Sequence, residues 1–366
     1  MKIAIGPIEG HYGGAAQHIL NIINHSRYDF TKIEIPLPLL HWGRFYRNNI
    51  LPVQKRLGIG LKHSDKRFDA YGLQKFFDIP GFVMSRFTLK DYDAVHLHGH
   101  PYWEQLYNAR NKNLVYTIHN LYSRDDFSQE WQPTIDMLTE NMIKICKRSK
   151  TVISVAKWLK ESLKSRHGVD SVYIPNGVNL KEFEERNSDE FRLKFGIKED
   201  FYLFVGRATK YKRPELFVEL ARKMPKRKFI MVGRGITQEN MQDYLKSRLP
   251  SNLQCIGEPE RKDVVNAFDA CRAFVLPSAN ETFGIVLLEA MASSKPVLAA
   301  NNLGPAEIIQ NGKTGFLFDK DNLENLIVMA EKAWNGKKEG IAGRELVERE
   351  YDWKKIVPRI DKIYIS

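Results

Sequence analysis

The chain predicts an α/β protein built from two doubly wound domains that face each other across a cleft. Three observations carry that expectation. Short β-rich runs alternate with helix-length stretches along all 366 residues. Most of those runs are continuously apolar rather than alternating, as parallel strands covered on both faces require. A polar, charge-rich segment, 176–200, interrupts the pattern near the middle and is the natural domain boundary.

In order along the first half, strands are expected at 2–7, 32–37, 94–99, 114–119, 151–156 and 171–176. In the second half they are expected at 201–206, 228–233, 253–257, 273–277, 296–300 and 315–318. Strand–helix alternation implies right-handed βαβ crossovers, and such sheets bind ligands outside the carboxyl ends of their strands. The two halves share an architecture but no sequence repeat.

Composition narrows the class. With 43% hydrophobic and 27% charged residues the chain reads as a soluble globular protein. No apolar run approaches the length that crosses a bilayer, and the start of the chain carries no secretory pattern. Three widely spaced cysteines, Cys146, Cys255 and Cys271, suggest reduced thiols in a cytoplasmic protein rather than a disulfide framework. The net charge of +12 favours anionic partners without choosing among them. Part of the excess lies in 41–87, where nine basic residues face three aspartates and are interleaved with aromatics such as Trp42, Tyr46 and Phe76. Such a segment fits either a peripheral contact with an anionic membrane or an ordinary solvated insertion.

Four features could carry chemistry. In NETFGIVLLEAMA, residues 280–292, a helix is expected from Gly284 onward, apolar nearly all round and therefore buried. Glu281 stands just before its N-terminus, where free N–H groups and the helix dipole attract anions. Glu289 lies inside the helix, where an uncompensated carboxylate costs several kcal/mol. Hydroxyl donors from a ribose would satisfy it, and so would a core arginine. In FVGRATKYKRPE, residues 204–215, Arg207 follows a buried strand and Lys212 comes five residues later. Both would stand at the carboxyl edge of the sheet, where each contact to a diphosphate is worth roughly 1.5–3 kcal/mol. Lys210 and Arg213 of the same loop read as surface charges.

The third feature is GPIEGHYGGAAQHIL, residues 6–20, where Gly13 and Gly14 let a ligand approach a helix N-terminus closely. It is neither a GxGxxG turn nor a P-loop. The fourth is the histidines. His119 ends a strand at its carboxyl tip, and His96, His98 and His100 alternate, a spacing that permits a metal site. No carboxylate or cysteine stands at a companion spacing, so no metal is expected. Asp91 and Asp93 form a DxD, but at the start of a strand, on the edge away from the cleft, and read as a turn.

Together these pieces resemble the retaining glycosyltransferases of family GT4, with the GT-B fold. The motifs are the E-x7-E of Glu281 and Glu289, the VGR….K of Arg207 and Lys212, IPNGVN at 174–179 and the Gly13-Gly14 loop. YDWKKIVPRI at 351–360 resembles the family's closing helix. The resemblance implies an acceptor-side Rossmann-like domain, 1–178, a nucleotide-sugar domain, 179–350, and a C-terminal helix, 351–366, packing back on the first. It implies that Glu289 binds ribose hydroxyls and that Glu281 holds the sugar with the backbone of Phe283 and Gly284. The N–H groups of Ile285 and Val286 would meet the diphosphate, and Arg207 and Lys212 would neutralise it as it departs, so neither metal nor cofactor is expected. His119 would stand beside the anomeric carbon, Gly14 under the diphosphate, and Gly233 and Arg234 near the base. The donor would be UDP- or GDP-linked, the acceptor a glycan, a lipid-linked or a small-molecule hydroxyl, and the anomeric configuration retained, by front-face attack or through a covalent intermediate. Asn120 and Asn280 depart from the family's commoner residues at their positions.

Two other classes fit less well. An NAD(P)-dependent oxidoreductase calls for GxGxxG and an acidic residue at the end of the second strand, and neither is present. A nucleic-acid-binding protein would explain the charge, but no recognition module is visible and no nucleic-acid partner is expected.

Overall fold

The computed structural model describes residues 1–6, 14–33, 89–99, 113–121 and 132–366. Gly13, His100 and the basic segment 41–87 therefore lie outside the described residues. The described chain forms two compact units, Met1–Val155 with Leu159–Ile174 and Val357–Ser366, and Ala156–Trp158 with Pro175–Ile356.

The first unit holds a six-stranded sheet. Its strands are β1 (Lys2–Gly6), β2 (Asp29–Lys32), β3 (Ala94–His98), β4 (Leu114–Ile118), β5 (Thr151–Ser154) and β6 (Val172–Tyr173). They pair in the order β2-β1-β3-β4-β5-β6, all parallel. The second unit repeats the plan with β7 (Phe201–Val205), β8 (Lys228–Val232), β9 (Leu253–Gly257), β10 (Ala273–Leu276), β11 (Val297–Ala300) and β12 (Phe316–Phe318). Their order is β12-β11-β10-β7-β8-β9, again parallel. Both sheets reverse direction of growth beside their first strand, between β1 and β3 and between β7 and β10. Those reversals open the crevices in which doubly wound sheets bind ligands.

Burial explains why these runs are strands. Every residue of β3, β4, β7, β10 and β11 is buried, which demands cover on both faces and excludes an alternating pattern. The core of the second unit packs Tyr202, Phe204, Phe217 and Phe229 against Leu298 and Leu326. Flanking helices are fixed by local signals. Asn187 accepts hydrogen bonds from the N–H groups of Asp189 and Glu190 at the start of helix Ser188–Phe195, and Gly196 ends it in the left-handed conformation.

Of the strand expected at 32–37, residues 34–37 lie outside the described residues; the described β2, Asp29–Lys32, runs in register with Lys2–Ile5. It is an edge strand with a largely exposed polar face, so it lacks the apolar run that marks the others. The second unit runs from Pro175 to Ile356, with Ala156–Trp158, and the first resumes at Val357. Residues 175–178 and 351–356 belong together because Val178 N–H donates to Tyr351 O at 2.8 Å. Gly177 is the small residue that contact needs, since a Cβ there would lie 2.8 Å from Trp353 and 2.9 Å from Ile356.

Candidate functional site

The reversal between β7 and β10 brings the two charged motifs of the second unit to one place. The loop after β7 carries Arg207 and Lys212, and the loop after β10 carries Glu281. Ala279 N–H donates to Tyr211 O at 2.7 Å, which fastens the loops to each other. Across this join Lys212 Nζ donates to Glu281 Oε2 in an ion pair whose side chains are only 16% and 13% exposed. Two charges so poorly hydrated must stay paired or find a stronger partner. Arg207 is exposed and donates from Nη2 to the Tyr211 hydroxyl at 2.5 Å, which holds its guanidinium at the same edge. Arg213 is committed elsewhere, to Lys320 O at 2.6 Å and Asp321 Oδ1 at 2.9 Å, as befits a surface charge.

The floor of the crevice is made of close backbone contacts. Gly233 has φ +138°, and a Cβ on it would fall 1.9 Å from Gly206 O. Only glycine allows the ends of β7 and β8 to meet there. Ala208 N–H donates to Arg234 O at 3.1 Å, so the loop bearing exposed Arg234 lies directly against the Arg207 loop. On the other side Gly304 N–H donates to Glu281 O at 3.0 Å, and a Cβ on Gly304 would come within 2.5 Å of Phe283 Cα. Glu281, Thr282 and Phe283 are thus positioned by their backbone.

Gly284, in the left-handed region with φ +94°, leads into helix Ile285–Ala292, which has no side-chain cap. The N–H groups of Ile285 and Val286 open that helix beside Glu281, a place that favours negative charge. Glu289 sits one turn further on, 7% exposed. Arg261 answers the question its burial poses, with Nη1 2.6 Å from Glu289 Oε1. The same guanidinium reaches Glu182 Oε2 at 2.9 Å, so one arginine bridges two carboxylates. Burial pushes the Glu289 carboxyl up, and Arg261 pulls it back only in part. Burial alone would lower Arg261, but Glu289 and Glu182 outweigh it and leave it raised. Sequence reading missed Arg261 as an individual, because PERKD reads as a solvated helix start.

In the first unit the reversal between β1 and β3 gathers histidines. His96, fully buried in β3, is held by the Tyr364 hydroxyl at 2.6 Å and Thr117 Oγ1 at 2.8 Å. His98 Nδ1 lies 3.1 Å from His119 Nε2, and the two rings stack with centroids 5.4 Å apart. His18, buried on helix Gly14–His25, meets both rings edge-on, 5.2 Å from His98 and 4.8 Å from His119. Burial first, and then neighbouring imidazoles, hold His96, His98 and His119 well below the ordinary histidine range. His96 and His98 stand together on β3, and His98 joins His18 and His119 in a cluster drawn from three elements. His18, four residues after Gly14, was missed. Gly14 is the first residue of its helix and is exposed. Asp93 takes the N–H of Lys2 at 2.7 Å at the opposite edge of the sheet, a structural turn contact.

Comparison with known proteins gives the family and the fold. The sequence model of Glycosyltransferase Family 4 matches residues 52–182, and that of Glycosyl transferases group 1 matches residues 185–339. The sulfoquinovosyl transferase SQD2 of Arabidopsis thaliana is 31% identical over 195 residues, 50% of this chain and 38% of that protein. The D-inositol 3-phosphate glycosyltransferase of Paenarthrobacter aurescens is 28% identical over 250 residues, 62% of this chain and 60% of that protein. The chain thus spans less than two thirds of either relative's length. The crystal structure of Anabaena HepE in complex with UDP and glucose covers 99% of this chain and 98% of that one. Its TM-score is 0.73 at 18% identity, a likeness of fold.

Proposed function

Because the chain belongs to the family 4, group 1 glycosyltransferases, we propose that it transfers a sugar from a nucleotide-diphosphate donor to an acceptor hydroxyl with retention of configuration. The observation that carries this reading is the Lys212–Glu281 pair, set with Arg207 at the β7/β10 crevice. A carboxylate for sugar hydroxyls and two cations for a leaving diphosphate stand side by side there. Charge on a departing diphosphate grows as the glycosidic bond breaks, so cations aimed at it favour the transition state over the ground state. That role needs no metal from the second unit.

The remaining roles are those that the family resemblance implies. Glu289 keeps one carboxylate oxygen on Arg261 and accepts ribose hydroxyls through the other. The opening N–H groups at Ile285 and Val286 take the diphosphate, and Arg234 beside Gly233 faces the base. By the same resemblance His119 is assigned to the donor sugar and Gly14 to the diphosphate. Tyr211 restrains Arg207 until the diphosphate claims it. Structures of Anabaena HepE are of complexes with UDP and glucose and with UDP-glucose, which supports a uridine donor as the first to try. Retention by front-face attack suits a crevice in which no side chain among the described residues stands out as a covalent nucleophile. A lipid-linked acceptor and a peripheral place on an anionic cytoplasmic membrane face remain attached to segment 41–87.

A panel of UDP- and GDP-sugars tests the reading by thermal shift and slow donor hydrolysis. One donor is expected to raise the melting temperature by linkage and to release nucleoside diphosphate. A flat response across the whole panel contradicts it.

A further inference from the structure

We propose that the first unit contains a transition-metal site formed by the imidazoles of His18, His98 and His119, which takes a divalent cation of the zinc class. One ligand atom from each of the three residues lies within 4.8 Å of the others. A tetrahedral zinc ion bonds imidazole nitrogen at about 2.0–2.1 Å, which sets its ligands roughly 3.4 Å apart. His98 Nδ1 and His119 Nε2, at 3.1 Å, already stand near that separation. The His18 ligand atom lies within 4.8 Å of the other two, the remaining distance to be closed on binding.

The scaffold is rigid where it must be. His98 ends β3 opposite Thr117 of β4, and His119 follows β4 directly, so the sheet register sets their separation. His96 lies under His98 with ring centroids 4.2 Å apart, and both of its nitrogens are engaged, by Tyr364 and Thr117. It therefore acts as a support that fixes the His98 ring rather than as a fourth ligand. His98 Nε2 is buried and has no hydrogen-bond partner among the described residues.

The donor set selects the metal. Three imidazoles with no thiolate or carboxylate suit zinc, nickel or copper and disfavour magnesium and calcium. Three protein ligands also leave a fourth position open for water or an anion. One consequence rests on the proposed function: zinc held through His119 withdraws that residue from the donor sugar, so bound zinc inhibits transfer and a chelator restores it.

The test uses the full, untagged chain stripped with chelator, with no nucleotide present, so its outcome is independent of the donor reading. Zinc is titrated calorimetrically and cobalt by visible absorption. One equivalent of zinc is expected, together with the intense absorption of four-coordinate cobalt. His98→Ala should weaken binding by more than the roughly 10–100-fold that loss of an outer-shell partner costs. His98→Gln is the second variant, and metal-free melting curves show that each is folded. Absence of saturable binding to wild type overturns the proposal. Equal affinity in a folded His98 variant overturns it too, because the ion is then on surface histidines such as His25 and His167.

Discussion

The two sheets reverse in the same way, yet their crevices are furnished with opposite chemistry. The β7/β10 edge is lined by charges that answer one another, Lys212 with Glu281 and Arg261 with Glu289. The β1/β3 edge is lined by His18, His98 and His119, of which His98 and His119 are kept neutral by burial. A sheet reversal supplies only a place for a ligand. What binds there is decided by whether the side chains bring formal charge, suited to a charged nucleotide, or lone pairs, suited to a cation or to sugar hydroxyls.

The sharpest way to break the charged crevice is through its floor. Gly233→Ala puts a methyl group 1.9 Å from Gly206 O, and the second unit should lose more than about 4 kcal/mol, beyond the usual range of point mutations. Urea unfolding followed by circular dichroism measures it. Next in size is Lys212→Met. It removes one member of a poorly hydrated pair, so kcat should fall roughly 10²–10³-fold with a stability loss of about 3–5 kcal/mol. Adding Glu281→Gln should recover much of the stability and none of the turnover.

Arg207→Ala tests charge without burial. Arg207 is exposed and bonded only to the Tyr211 hydroxyl among the described residues, so melting temperature should hardly move while kcat drops about 100-fold. Wild-type turnover in that variant would count against its leaving-group role. Smaller still is Arg261→Ala, which frees Glu289 from its partner and should raise the donor KM by about tenfold, the worth of one charge-assisted contact. The same pair sets a pH dependence. Glu289 has a raised pKa, by burial, with Arg261 and Glu182 the charged groups facing it. Its carboxylate therefore takes a proton earlier than an ordinary glutamate as pH falls. Nucleotide affinity should weaken over that acid range, and Glu289→Gln should flatten the profile. By linkage the raised pKa favours the folded state at low pH and is a penalty once pH rises through it.

Much of this was legible in the chain itself. Among the described residues eleven of twelve strands left a signal because they are largely apolar, while the polar, exposed edge strand β2 left none. Glu281, Arg207 and Lys212 could be placed because each lies within a few residues of a strand's carboxyl end. Arg261 and His18 could not. Each acts through a partner 28 or more residues away, Glu289 for one and His98 for the other. Nothing in PERKD or AAQHIL distinguishes that role from a solvated helix start or a core histidine. Tertiary pairing is the information that local pattern lacks.

The central claim is that Glu289, though bridged to Arg261, keeps an oxygen for the ribose of the donor. Calorimetry with UDP and 2′,3′-dideoxy-UDP, or the guanosine pair if uridine does not bind, tests it most directly. Wild type should favour the ribose by roughly 10–100-fold, the worth of a hydrogen bond to a charged group, and Glu289→Ala should bind both alike. A preference for ribose that survives unchanged in Glu289→Ala would contradict the account.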